Sequence, residues 1–318
     1  MIERIADLLK HDTAGDPMKG LKWTRRTTRK IARELRRLRI RISANTVRRL
    51  LKEMGFSLRV NHKRLESGNK NPVPRRVRNQ QFLYIGRKRE EFSCQGKPVI
   101  SVDAKKKELV GKFKNTGVSW QQEPHIVNDH DFRSDADAID IPYGIYDTGA
   151  NRGFVVVGTS AETPAFAVDA VVSWWKDRGS SQYADADELL ILADCGGGNS
   201  ARSHAWKYHL QQRLCNLYGL KVTVCHYPPG ASKWNPIEHR LFSEISKNWK
   251  GQPLESHETI INYIRSTTTS SGLKVSARLS EKHYEKGEKI SPAEMKRVVL
   301  TGHETLPAWN YTLTPSRM

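Results

Sequence analysis

Three carboxylates stand out by what precedes them. Asp103 follows the apolar run Val99-Ile100-Ser101-Val102, and Asp194 follows Leu189-Leu190-Ile191-Leu192-Ala193. Glu238 lies inside Trp234-Asn235-Pro236-Ile237-Glu238-His239. Separations of 91 and 44 residues rule out local pairing, so only a fold could bring them together. Acids placed this way suit one chemistry above others. Mg²⁺ or Mn²⁺ takes oxygen ligands, and two such ions ~4 Å apart can activate an attacking oxygen and stabilise a leaving one in phosphodiester transfer. Three acids can hold two ions and leave positions open for phosphate and water. An Asp at a strand end is common, so the weight comes from all three occupying suitable elements.

The surroundings narrow the chemistry. Asp194 leads into Cys195-Gly196-Gly197-Gly198-Asn199-Ser200, a small-residue turn that would let a nucleic-acid backbone approach closely. It lacks the G-K-[ST] ending of a P-loop. Lys105, Lys106 and Lys107 follow Asp103 directly, and Lys105 and Lys107 are candidates to hold substrate phosphates; a solvated strand end is the plainer reading of that run. Asp129, Asp131, Asp135, Asp137 and Asp140 form an acidic group without EF-hand spacing, which fits an exposed insertion loop better than a Ca²⁺ site. Cys225-His226 and His239 could suggest zinc, but Cys225 sits in an apolar strand and reads as core. His239 is as plausible on a helix surface as beside substrate. No motif supports Ser/His/Asp nucleophilic catalysis.

The elements that must position the acids follow from periodicity. Strands are expected near 98–104, 143–148 and 153–159, the last two joined by Gly149-Ala150-Asn151-Arg152. A helix over 163–178, a buried strand over 188–194, a helix over 200–216, a strand over 220–226 and a helix over 236–249 complete the series. The order is βββαβαβα, that of an α/β ribonuclease H-like fold. It places Asp103 at the end of the first strand, Asp194 at the end of the fourth and Glu238 at the start of the last helix. Pro236 suits the first turn of that helix.

Upstream, residues 27–38 show Ile31, Leu35 and Leu38 at helical spacing. Ser43 is a good N-cap for a second helix through Met54, ended by Gly55. Val47, Leu50, Leu51 and Met54 form its apolar stripe, while Asn45, Arg48, Arg49 and Lys52 point away. This pair reads as an all-α helix-turn-helix DNA-binding region, with an ordinary basic helical hairpin as the alternative. Residues 57–78 read as a linker, with Arg75 and Arg76 among the cations able to track phosphates, and a helix is expected over 75–93. The resulting division is 1–56 for the helix-turn-helix, 57–95 for the basic linker and helix, 96–252 for the catalytic domain and 253–318 for a C-terminal extension.

Charge follows the same division. Residues 1–90 hold 26 Lys and Arg against 8 Asp and Glu, whereas 91–318 hold 27 against 26. Nearly all of the formal +19 thus lies in the first 90 residues, as in a nucleic-acid-binding arm joined to an enzyme. No run approaches the ~18 apolar residues of a membrane span. The N-terminus lacks the basic-then-apolar pattern of a secretory signal. Cys94, Cys195, Cys215 and Cys225 lie far apart, which fits a reducing cytosol. A cytoplasmic protein without membrane attachment is the expectation.

At the level of motifs, SVDAKKKELVGKFKN, HDF before PYGIYD, LILADCGGGNS, CHYPPGASKWNPIEHRLFSEISKNWKG and WNYTLTP resemble the Rhodopirellula-type DDE transposases of bacterial insertion sequences. The resemblance runs from about Gly15 to Pro315. It implies a ribonuclease H-like DDE transposase with Asp103, Asp194 and Glu238 as its triad, and N-terminal basic helices that help to recognise element ends. Mg²⁺ or Mn²⁺, as two ions, would be the cofactor. Double-stranded DNA, as terminal inverted repeats and target, would be the partner, and synapsis of two ends implies a homodimer or higher assembly. Two alternatives remain open: a nuclease of the same fold that only hydrolyses, and a non-catalytic DNA-binding protein descended from a transposase.

Overall fold

The computed structural model describes residues 2–9, 13–16, 21–24, 27–56 and 73–316. Residues 57–72 of the expected linker lie outside them. The chain divides into two compact units, Met1–Gly68 and Asn69–Met318.

In the first unit, α1 (Ile2–Leu9) precedes a two-stranded antiparallel pair, β1 (Thr13–Asp16) and β2 (Leu21–Thr24). Two helices follow, α2 (Thr28–Arg37) and α3 (Ala44–Glu53). Both are capped by hydroxyls, α3 by Ser43 as its sequence suggests and α2 by Thr27. The Thr27 hydroxyl accepts from the Lys30 amide and the Ser43 hydroxyl from the Thr46 amide, each cap contributing about 1 kcal/mol. Gly55, at φ 82°, follows α3 in the left-handed conformation. Ile5 and Leu9 of α1 pack with Ile31, Ala32, Leu35, Val47 and Leu50 in one small core. The region is therefore not all-α as expected. Gly15, Asp16 and Pro17 disfavour helix continuation after α1, and pairing of β1 with β2 satisfies the backbone there instead.

The second unit is a mixed α/β sheet with helices on both faces. Its strands are β3 (Val99–Ala104), β4 (Glu108–Val110), β5 (Ala138–Asp147), β6 (Arg152–Gly158), β7 (Glu188–Ala193), β8 (Lys221–His226), β9 (Lys274–Ser280), β10 (Leu300–Gly302) and β11 (Asn310–Leu313). They lie in the order β10-β11-β8-β7-β3-β5-β6-β9, with β4 paired to β5. The five central strands are thus ordered third, second, first, fourth, fifth. β3, β5 and β6 pair antiparallel, while β7 and β8 run parallel to β3. This is the arrangement anticipated from the βββαβαβα pattern.

Strand alternation distributes the core. Phe154 and Val156 of β6 enter a cluster with Phe166, Val171 and Trp174 of α5 (Pro164–Trp174) and Trp206 and Leu210 of α6 (His204–Leu210). Val155 and Val157 face the other way, toward Leu241, Phe242 and Ile245 of α7 and Ile260 and Ile264 of α8 (His257–Arg265). Here α7 comprises a π turn, Glu238–Phe242, continued by Ser243–Asn248.

Three differences from the sequence reading have clear causes. Helix α4 (Arg75–Cys94) was grouped with a linker, yet Ile85 and Phe92 bury against Val99, Leu190, Leu192 and Cys225 of the sheet. Its polar sequence hid this, because Gln81 is also fully buried, donating to the His226 carbonyl and exchanging amide bonds with Asn310. The helix expected from residue 200 begins at His204, since Ser203 rather than Ser200 is the N-cap. Finally, the C-terminal residues expected as an extension supply both sheet edges, β9 beside β6 and β11 beside β8. Among the described residues no helix is long and apolar enough to cross a membrane.

Candidate active site

The register of the central strands decides which acids meet. β3 and β7 are parallel with Ser101 opposite Leu192, so two residues further on Asp103 stands beside Asp194. On the other side Asp103 pairs with Gly144 of β5. A Cβ on Gly144 would lie 2.6 Å from Phe242 and 2.9 Å from Ile237, so glycine there lets the start of α7 press onto the sheet. That close approach brings Glu238 over the strand ends. Asp103, Asp194 and Glu238 line one cleft of about 340 Å³, and a fourth acid, Glu162, lines it with them.

Polar bonds fix each acid. The Ser101 hydroxyl donates to Asn235 Oδ1 at 2.5 Å and accepts from the Ile237 amide at 3.0 Å. Asn235 Nδ2 donates to the Val102 carbonyl at 3.1 Å. All of this is buried, so strand β3 is stapled to the turn that launches Glu238. Asp194 is held from behind. Trp206 Nε1 donates to the Tyr311 hydroxyl, which lies 3.1 Å from His226 Nε2, and His226 Nδ1 lies 2.8 Å from the Asp194 carbonyl. A carbonyl only accepts, so His226 carries its proton on Nδ1 and takes the Tyr311 proton at Nε2. Burial pushes the His226 imidazole down to about 4, keeping it neutral for this role. The Asp194 carboxylate accepts from the Gly196 amide and from Asn199 Nδ2. Asp103 Oδ1 accepts from the Ala104 amide at 2.8 Å.

Four carboxylates and the lysines Lys105, Lys106 and Lys107 share the lining of the cleft, and the carboxylates act on one another. Burial first, then Asp194, with Glu238 and Glu162 adding, raises the Asp103 carboxyl to about 8. Burial also raises Asp194 and Glu238 above the usual carboxylate range. None of the four acids has an ion-pair partner among the described residues. Nor, among those residues, are three His, Cys, Asp or Glu gathered closely enough to hold an ion as they stand. The buried Asn199 Oδ1 and Tyr143 hydroxyl have no hydrogen-bond partner. Four carboxylates, with the orphaned Asn199 amide oxygen beside Asp194, form an all-oxygen donor set that fits a hard divalent cation.

The lysines after Asp103 divide. Lys105 Nζ lies 2.5 Å from Glu108 and 4.5 Å from the centre of the Trp249 ring, with its side chain 9% exposed. It ties the end of β3 to the chain beyond α7, and its ammonium is already engaged. Lys106 and Lys107 are exposed at the cleft. On α3, Asn45, Arg48, Arg49 and Lys52 are exposed, with Arg49 Nε 3.8 Å from Glu53. Arg75 and Arg76 are exposed at the start of α4. Of the acidic insertion, Asp129, Asp131, Asp135 and Asp137 are exposed, but Asp140 is fully buried on β5, 2.7 Å from His257. Cys225 is buried in the core, as expected. His239 bonds the Lys233 carbonyl.

The sequence reading missed Glu162, Ser101, Asn199 and Asn235. Only Asn235 carried a signal, an Asn directly before a proline that begins a helix, where a side chain can satisfy free backbone groups.

The model of the family described as Rhodopirellula transposase DDE domain matches residues 4–315. Among solved structures, a pre-cleavage Mos1 transpososome is 15% identical with a TM-score of 0.47, covering 83% of this chain and 70% of that chain. The Mos1 mariner paired end complex with Mn is 15% identical with a TM-score of 0.46, over 83% and 70%. The Mos1 paired-end complex with the left transposon end is 15% identical at 0.44, over 83% and 69%. No curated protein matches the chain.

Proposed function

Because the chain belongs to the Rhodopirellula transposase DDE domain family, we propose that it is an active insertion-sequence transposase that cuts the ends of its element and joins them to target DNA. One observation supports this most directly: Asp103, Asp194 and Glu238, from three separate elements, line one cleft. In this reading unit 2 is a ribonuclease H-like catalytic domain, and the three carboxylates hold Mg²⁺ or Mn²⁺, as two ions. When bound, the ions supply Lewis acidity to the scissile phosphate and lower the pKa of the attacking hydroxyl.

The chain's own residues orient the reaction. Asp103 on β3 and Asp194 directly after β7, side by side, define the floor on which the phosphate lies. Glu238, fixed through Asn235 and Ser101, closes the side from which a nucleophile approaches. Water attacks phosphorus first, releasing a 3′-hydroxyl at the element end. That hydroxyl then attacks a target phosphodiester in line, so one P–O bond forms as another breaks. Lys106 and Lys107 contact the DNA backbone beside the cleft, while Lys105 holds the site together.

The first unit would act as the helix-turn-helix that recognises terminal inverted repeats, through Asn45, Arg48, Arg49 and Lys52 on α3. Arg75 and Arg76 of α4 would add phosphate contacts. Two ends must be held together, so the working form on DNA is a homodimer or a higher assembly, in the cytoplasm at the nucleoid. The test is strand transfer by the purified protein from a duplex carrying the sequences that flank its gene. Joined product with Mg²⁺ supports a transposase. Cleavage without joining would reduce the activity to hydrolysis, and binding without cleavage would remove catalysis altogether.

A further inference from the structure

The turn after Asp194 is built of glycines whose missing side chains leave room for neighbouring oxygens. A Cβ on Gly196 would lie 3.3 Å from Asp194 Oδ2. One on Gly197, which sits at φ +57°, would lie 2.3 Å from Glu162 Oε1 and 3.8 Å from Asn199 Oδ1. Gly198 presses the same turn onto the segment bearing Glu162, since its Cβ would stand 2.8 Å from the Thr163 carbonyl. Asp194 Oδ2 thus lies against Gly196, and Glu162 Oε1 and Asn199 Oδ1, from two segments, lie on the side of Gly197 where a Cβ would stand.

All three are acceptors. Asn199 is 1% exposed, and its Nδ2 is committed to Asp194 Oδ1 at 3.4 Å, which leaves Oδ1 turned inward without a donor. A buried acceptor is ordinarily satisfied. Glu162 has no ion-pair partner among the described residues. Two carboxylates and an orphaned amide oxygen call for a positive, oxygen-seeking occupant.

We propose that Glu162 and Asn199 Oδ1 join Asp194 as ligands of a divalent cation, so that the cleft's cation positions are built by five residues rather than by the acidic triad alone. This rests on reading the cleft as a cation site. Ca²⁺ and Mg²⁺ both accept Asn and Glu oxygens, and Mg²⁺ retains waters where protein ligands are few.

The test is Mn²⁺ titration of the full-length protein without DNA, followed by the electron paramagnetic resonance of free Mn²⁺. Glu162→Gln should weaken one Mn²⁺ site by about 10–100-fold or abolish it, and Asn199→Ala should weaken the same site. Asn199→Asp, which keeps an acceptor and adds charge, should bind at least as tightly as wild type. Thermal unfolding without metal confirms that each variant is folded. Unchanged affinity and stoichiometry in Glu162→Gln and Asn199→Ala, with a loss in Asp194→Asn, would overturn the inference and leave the cleft as a cation site. No loss in Asp103→Asn and Asp194→Asn either would overturn both.

Discussion

Replacing Asp103 by Asn should make the metal-free protein more stable at alkaline pH. The amide preserves shape and the acceptor that takes the Ala104 amide proton, while removing a charge that the cleft disfavours. The Asp103 carboxyl titrates at about 8 in the fold against 3.8 in a model peptide. Between those values the native state keeps a proton that the unfolded chain has released. Native stability therefore falls as pH rises through that window and levels off above it. The Asp103→Asn variant has no such dependence at this position. The two proteins should be equally stable near pH 4 and differ most at pH 8 and above.

At about 1.4 kcal/mol per pKa unit the shift sets a ceiling near 6 kcal/mol. Water entering the open cleft and relaxation of the neighbouring acids bring the expected gain to about 1–3 kcal/mol. For a unit of this size that is roughly 3–10 °C in Tm. Thermal unfolding in chelator at pH 4.5 and 8.5 measures it. Excess Mn²⁺ should reverse the order, because a cation stabilises the ionised wild type and has less to bind in the variant. A variant no more stable than wild type at pH 8.5, or equally favoured at both pH values, would refute the account of the cleft as strained negative charge.

Other outcomes are expected. Mg²⁺ and Mn²⁺ should both support DNA cleavage, whereas Ca²⁺, larger and more loosely coordinated, should support binding with little turnover; full activity in chelator would exclude the mechanism. Asn235→Ala strips partners from Ser101 and the Val102 carbonyl and should cost about 2–4 kcal/mol, with cleavage falling further than DNA binding, as chemical denaturation and a gel-shift titration would report. Replacing Arg48 and Arg49 together by Ala should flatten the slope of log K against log[salt] by about 0.9 for each phosphate left without its cation. An affinity drop larger on element ends than on random DNA would mean that the pair reads bases, and an equal drop that it touches phosphates alone.

Much of the architecture was legible because burial and strand ends coincide. The runs before Asp103 and Asp194 are buried on both faces and stop where the carboxylates begin, so the sequence marks β3 and β7 as strands with an acid near each end. Polar residues that satisfy other polar residues gave no comparable mark. Gln81 hid the packing of α4, and Ser101, Asn199 and Asn235 look like surface residues until their partners are known. Glu162 sits in the loop between β6 and α5, where an acid is unremarkable without the turn that faces it.

Lys105 shows the converse. Its place in a basic run suggested phosphate, while Glu108 and Trp249, three and 144 residues away, engage its ammonium. The charge map shifts in the same way. Residues 75–90 carry six of the 26 N-terminal Lys and Arg, and α4 places them on the second unit. That unit should therefore contribute to DNA binding, and a fragment ending near Glu90 would tear α4 from its sheet.

The most direct test of the central claim is single-turnover cleavage of a labelled element end with Mg²⁺ by wild type, Asp103→Asn, Asp194→Asn and Glu238→Gln, with DNA affinity measured in parallel. The three amides should each abolish cleavage while binding DNA within a few-fold of wild type. Metal-dependent cleavage surviving in any one would remove that carboxylate from the site, and survival in all three would contradict the account.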